Sequence, residues 1–131
     1  MTGNPARPPD PRRGTAREGE ELAAAHLQRK GFQILDRNWR CKAGEIDIVA
    51  RDGETLVFVE VKARTGRTAG PPEESVTAAK RRRLVHLARR FLLEKHLHEI
   101  PCRFDVVAVE AEQGRAPVIR HHVAAFRADG S

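Results

Sequence analysis

A chain of 131 residues has room for one hydrophobic core, and 40% apolar with 32% charged residues is ordinary globular usage, which excludes wholesale disorder and a membrane bundle. The longest apolar runs, such as Leu56 to Val59 and Val106 to Val109, are far too short to cross a bilayer, and the N-terminus has no apolar secretory segment, so a cytoplasmic protein is expected. With 24 Lys and Arg against 18 Asp and Glu, the net charge of +6 points to a polyanion partner or simply to solubility.

Residues 1–14 carry Pro5, Pro8, Pro9 and Pro11 among arginines and are expected to form a disordered arm, with one domain over 15–127 and a frayed end at 128–131. A helix is predicted over 16–30, with Leu22, Ala23 and Leu27 among charges and Gly31 placed to end it. Phe32 to Leu35 reads as a short strand and Asp36 to Gly44 as a connecting turn, with Trp39 as a structural plug. Strands follow at Glu45 to Ala50 and Thr55 to Ala63. Asp52-Gly53 is a strong two-residue hairpin signal, and pairing Arg51 with Glu54 would set Glu45 against Glu60 and Asp47 against Phe58. Arg64 to Ser75, rich in Gly and Pro, reads as a mobile loop. Val76 to His98 is the longest helical segment, with Leu84, Leu87, Ala88 and Phe91 on one stripe and Arg82, Arg83, Arg89 and Arg90 exposed. Strands at Phe104 to Glu110 and Val118 to Val123, around a Gln113-Gly114 turn, complete an α/β domain.

Side chains alternate along a strand, so the hairpin places Glu45, Asp47, Val49, Leu56, Phe58, Glu60 and Lys62 on one face and Ile46, Ile48, Val57, Val59 and Val61 on the other. At an effective dielectric near 20, two carboxylates about 5 Å apart repel by roughly 3 kcal/mol. Three acids against Lys62 alone therefore call for a cation, and hard oxygen donors with open positions select Mg²⁺ or Mn²⁺ over zinc. Asp47 and Glu60 are the expected ligands, with the Val61 carbonyl in reach, and Lys62 is placed to orient an attacking water or offset charge on a phosphorane. Taken alone, Glu60 and Lys62 would be a strand-face ion pair worth about 0.2–1 kcal/mol. Their coincidence with Asp47 on a partly covered face makes them a candidate site.

The other chemistry-bearing residues are less pointed. Cys41 and Cys102 lack metal or redox spacing, and His96, His98, His121 and His122 lack the partners of a metal centre. With no tyrosine, one tryptophan and five phenylalanines, the chain lacks the aromatic platforms of a single-strand binder.

Gly19-Glu20, Gly44-Glu45-Ile46-Asp47 and Val59-Glu60-Val61-Lys62 together resemble the PD-(D/E)XK pattern of the restriction-endonuclease-like superfamily, with Ile46 where that pattern has proline. More closely, the run from Glu18 to about Val109, including Arg37-Asn38-Trp39-Arg40 and Arg103-Phe104-Asp105, resembles the YraN family of uncharacterised bacterial proteins. The resemblance implies an αβββαβ core related to Holliday junction resolvases, Asp47 and Glu60 as metal ligands, Lys62 as catalytic lysine and Glu20 as an auxiliary catalytic acid. Lys80 resembles a position recurring in the family's second helix and, with Glu45, is a possible auxiliary. Asp105 has a supporting role or a chemical one. The expected function is a Mg²⁺- or Mn²⁺-dependent endonuclease acting on DNA, by analogy at a branched or otherwise non-duplex structure. Arg64, Arg82, Arg83, Arg89 and Arg90 are the candidate nucleic-acid contacts, and two-fold substrates would favour a homodimer. The alternative is a non-catalytic nucleic-acid-binding or adaptor protein with a nuclease fold.

Overall fold

The computed structural model describes residues 11–65, 76–111 and 114–128. Its elements are α1 (Pro11–Arg29), β1 (Gln33–Cys41), β2 (Gly44–Asp52), β3 (Thr55–Thr65), α2 (Ala78–Glu94), β4 (Cys102–Ala111) and β5 (Val118–Phe126). The expected αβββαβ order is present, with β5 added. The five strands form one mixed sheet in the order β1-β2-β3-β4-β5, antiparallel throughout except for the parallel pair β3 and β4, which α2 connects.

One helix lies on each face. Ala23, Ala24 and Leu27 of α1 pack with Ile48, Ala50, Val57, Val59, Val107 and Val109. Leu84, Val85, Leu87, Ala88 and Phe91 of α2 pack with Val49, Leu56, Phe58, Phe104 and Val106. Because β3 and β4 have a helix on either side, Leu56 to Val59 and Val106 to Val109 are buried on both faces and read as unbroken apolar runs.

Three boundaries differ from expectation. The first helix begins at Pro11, since proline lacks only an N–H that a first turn leaves unpaired; this moves the edge of the expected arm back from residue 14. Residues 1–10 and most of the Arg64 to Ser75 loop lie outside the described residues. The Asp36 to Gly44 turn is instead most of a nine-residue β1, bulged between Ile34 and Asp36, and only Lys42 and Ala43 separate its last pair, Cys41 with Gly44. Asp36 and Asn38 are poor strand formers, but pairing along β2 and burial of Trp39 override them. Trp39 is the expected plug: its Nε1 donates to Glu94 over 2.9 Å and its ring meets Phe91 edge-on. Finally, α2 ends before His98. His96 is left-handed (φ 54°), with Leu97 N–H returning to Leu92 O and His96 N–H to Leu93 O, the bonds of a Schellman cap.

The hairpin register is also corrected. Asp52 pairs with Thr55, leaving Gly53 and Glu54 as the loop. Gly53 alone has positive φ (62°), which suits a turn with glycine first rather than one needing two left-handed residues. The slip is two residues, so the face assignments survive, whereas a slip of one would have exchanged them. One residue does change sides: Ile46 packs with Trp39 in the α2 cluster, while Ile48 packs in the α1 cluster. Asn38, between the partners of those two residues in β1, is left-handed (φ 56°), so both strands turn at the same level.

Candidate metal and phosphoryl site

The paired ladder between β2 and β3 ends at Ile48 with Val59. Beyond it, Asp47 Oδ2 accepts the Val61 N–H over 2.8 Å, so a side chain takes the place of a strand partner at this point. The Glu60 carboxyl lies beside that of Asp47, close enough to oppose its ionisation. Val61 thus meets the cluster through its N–H, while its side chain packs against the α1 core.

From the other side α1 brings Glu20. Single carboxylate oxygens of Glu20, Glu45 and Asp47 lie within 4.8 Å of one another. Gly19 makes this approach possible, since a Cβ there would stand 3.0 Å from Ala63 Cβ. With its amide nitrogen turned inward, Asn38 donates to Glu20 Oε2 over 3.0 Å and to Glu45 Oε1 over 3.3 Å. Arg40 Nε binds the other oxygen of Glu45. Asn38 is the site residue that sequence reasoning missed. Its signal was the asparagine itself, a residue that tolerates left-handed backbone, in a stretch that reads as a turn.

Burial, reinforced by the Glu60 and Glu20 carboxylates, pushes Asp47 up to about 8, with the Val61 N–H as the opposing contact. Burial also raises Glu20, aided by Glu45 and opposed by the Asn38 hydrogen bond. Lys62 is lowered by burial and by the neighbouring Lys80, against the pull of Glu60 and Asp47. Lys80 Nζ in turn stands 3.8 Å from Glu60 Oε2. The structure therefore gathers Glu20, Glu45, Asp47, Glu60, Lys62 and Lys80 at one end of the sheet. Of the candidate contacts, Arg82, Arg83, Arg89 and Arg90 are exposed on α2 and Arg64 is half-buried on β3.

Asp105 is elsewhere and differently built. Its side chain is fully buried and takes Arg103 Nε and Nη2, His121 Nε2 and the Ala124 N–H, with His121 Nδ1 in turn facing Lys30 Nζ at 2.8 Å. Arg103 continues to Asp52. The Ala124 N–H comes from a left-handed residue beside the register shift of β5, so Asp105 holds an edge-strand bulge in place.

The fold and site define a mixed α/β domain with a carboxylate and lysine cluster where its central hairpin parts. The chain belongs to the uncharacterised protein family UPF0102, whose model matches residues 19–109. It is 49% identical over 130 residues to a UPF0102 protein of Anaeromyxobacter dehalogenans, covering 99% of this chain and 96% of the relative. It is 48% identical to those of Geobacter sulfurreducens (82% and 84% covered) and Pseudomonas aeruginosa (80% and 85%). Among solved structures, Pyrococcus furiosus SfsA in complex with Ca²⁺ aligns with TM-score 0.42 and 17% identity, over 86% of this chain and 64% of that one. Among the described residues, no helix is long and apolar enough to cross a membrane.

Proposed function

We propose that the protein is a cytoplasmic, Mg²⁺- or Mn²⁺-dependent phosphodiester hydrolase acting on DNA. The observation that carries this reading is the convergence of three carboxylates on one point, with the half-buried Asp47 beside a fourth, Glu60. The fit to a divalent ion rests on the donors: all are hard carboxylate oxygens, no thiolate or imidazole among the described residues joins them, and the cluster lies beside a cleft. Asp47, with Glu20, Glu45 and Glu60, would hold the ion. When bound, such an ion polarises a phosphoryl oxygen and offsets charge on the leaving oxygen.

The chain's own groups do the rest. The Val61 N–H fixes the Asp47 carboxylate, and Asn38 bridges Glu20 and Glu45. Lys62 lies on the strand of Glu60 and is electrostatically coupled to both Glu60 and Asp47, which suits it to hydrogen-bond an attacking water and to set positive charge beside the phosphorane. The exposed arginines of α2 supply attraction for a polyanion.

The test is incubation of the pure protein with branched, single-stranded and duplex DNA in Mn²⁺ or in EDTA. Cleavage is expected in Mn²⁺ only, lost in Asp47→Ala and in Lys62→Met, with Lys62→Met still binding Mn²⁺. Cleavage that survives Asp47→Ala would be a contaminant's. DNA binding and metal binding without cleavage of any of these substrates would favour the non-catalytic reading instead, which the basic face of α2 also serves.

A further inference from the structure

We infer that the cleft between the start of β2 and α2 is a subsite for a second backbone phosphate, with Lys80 and Arg83 as its cations. This rests on the phosphodiester reading above and adds where the strand next to the reacting group is held. The cleft, of about 120 Å³, is lined by Gly44, Glu45, Glu60, Lys80, Arg83 and Leu87. Two of its walls, Glu45 and Glu60, also belong to the acidic cluster, so the cleft adjoins that cluster. Its volume is well below the roughly 300 Å³ at which small-molecule pockets begin, and suits a single group rather than a whole nucleotide. No aromatic ring lines it, so it offers no stacking surface for a base.

The cations are placed by the fold. Lys80 and Arg83 are three residues apart and share one face of α2. Lys80, beside Lys62 and 3.8 Å from Glu60, is half-exposed, so its ammonium can turn a proton toward a phosphate oxygen. Arg83 is seated against β2, whereas Arg81 of the same helix is held elsewhere, by its bond to Val76 O and over the Phe126 ring. A Cβ on Gly44 would lie 3.6 Å from Arg83 Cδ and 3.5 Å from Leu87 Cδ1, so the arginine stem rests along bare glycine backbone. Gly44 has φ 147°, which side chains rarely adopt, so the turn both requires glycine and clears room for the stem. A seated guanidinium loses less freedom on binding, and its planar fork matches two phosphate oxygens. Arg82 and Arg89 lie about 100–120° round the helix from Arg83 and do not line the cleft.

The test measures DNA affinity by fluorescence anisotropy, using the full chain, a fluorescein-labelled DNA duplex and a labelled four-way junction, in Ca²⁺ over a series of salt concentrations. Arg83→Gln is expected to lower affinity about tenfold near 0.1 M salt and to reduce the salt slope by about one. Arg83→Lys should recover the slope but not the full affinity. Arg82→Gln and Arg89→Gln should each cost less than half as much. A wild-type slope in Arg83→Gln, or equal losses in all three glutamine variants, would overturn the subsite in favour of a diffuse basic face. Cleavage with an Arg83-independent slope sinks the subsite alone, whereas Arg83-dependent binding without cleavage sinks only the hydrolase reading.

Discussion

Asp47 on β2 and Asp105 on β4 lie about one residue level apart in one sheet, with β3 between them, yet they are opposites. Helix α1 sends Glu20 to the first, and Lys30, just past its last turn, contacts the His121 that binds the second. Burial would raise Asp105, but the hydrogen bonds of His121, Arg103 and the Ala124 N–H outweigh it and hold the carboxyl below its usual range. At Asp47 burial and two nearby acids act together, and the carboxyl rises to about 8. A buried carboxylate supplied with its counter-charges is a structural part. One pressed against further acids is tolerable only if protonated or if a cation arrives, and folding alone has no use for that arrangement.

The largest effect should come from removing each aspartate. Asp105→Ala leaves Arg103 and the Ala124 N–H without their partner and should cost about 3–5 kcal/mol in urea unfolding. Asp47→Asn, measured in EDTA, should leave stability unchanged or raise it, because it removes an unfavourable charge. Equal losses in both would erase the distinction.

Divalent metal should separate them next. Binding to the folded form alone adds about 2.7 kcal/mol at one hundred times Kd. Millimolar Mn²⁺ should therefore raise the Tm of the wild type clearly and that of Asp47→Ala much less, whereas a folded Asp105→Asn should keep the full shift. Equal shifts in wild type and Asp47→Ala would count against the ligand set.

The pH dependence carries opposite signs. For Asp47 the folded value lies above the unfolded one, near 3.8, so its contribution is fully present below that value and is lost as pH rises toward about 8. For Asp105 the folded value is depressed, so its contribution is present above about 3.8 and lost as pH falls below it. In EDTA, Tm should decline between pH 5 and 8. Mg²⁺ or Asp47→Asn should flatten that decline, and Asp105→Asn should leave it in place while removing part of the acid-side loss.

The smallest effect tests how α1 delivers Glu20. In Gly19→Ala the gain in helix propensity, about 1 kcal/mol, opposes a Cβ placed 3.0 Å from Ala63, so stability should change little. Mn²⁺ affinity, read by titration calorimetry, should nonetheless fall severalfold and recover in Gly19→Ala with Ala63→Gly. Unchanged affinity would mean that Glu20 is not held by this contact.

Much of this was legible because it was periodic. The stripe of Leu84, Leu87, Ala88 and Phe91 and the double-sided runs of β3 and β4 are local patterns set by burial on one helix face or on two sheet faces. The faces of Asp47, Glu60 and Lys62 followed from alternation, and even the misplaced register, a slip of two, preserved them. The parts missed were those where a distant partner overrode local chemistry. Asp36 to Gly44 looked like a turn until β2 paired with it, and Asn38 reads as a loop residue until its left-handed bend is seen opposite the end of the β2 and β3 ladder. His121 carried no motif at all: only the packing of β5 beside β4 sets it between Asp105 and Lys30.

By itself the sequence determined which residues alternate, which segments coil, and that several acids gather among basic neighbours, because those properties are written in spacing. Only the tertiary structure decided which acid is neutralised and which is left exposed to other acids. That outcome depends on what α1, Asn38 and β5 bring across space, and charge interactions are governed by distance and burial rather than by order along the chain.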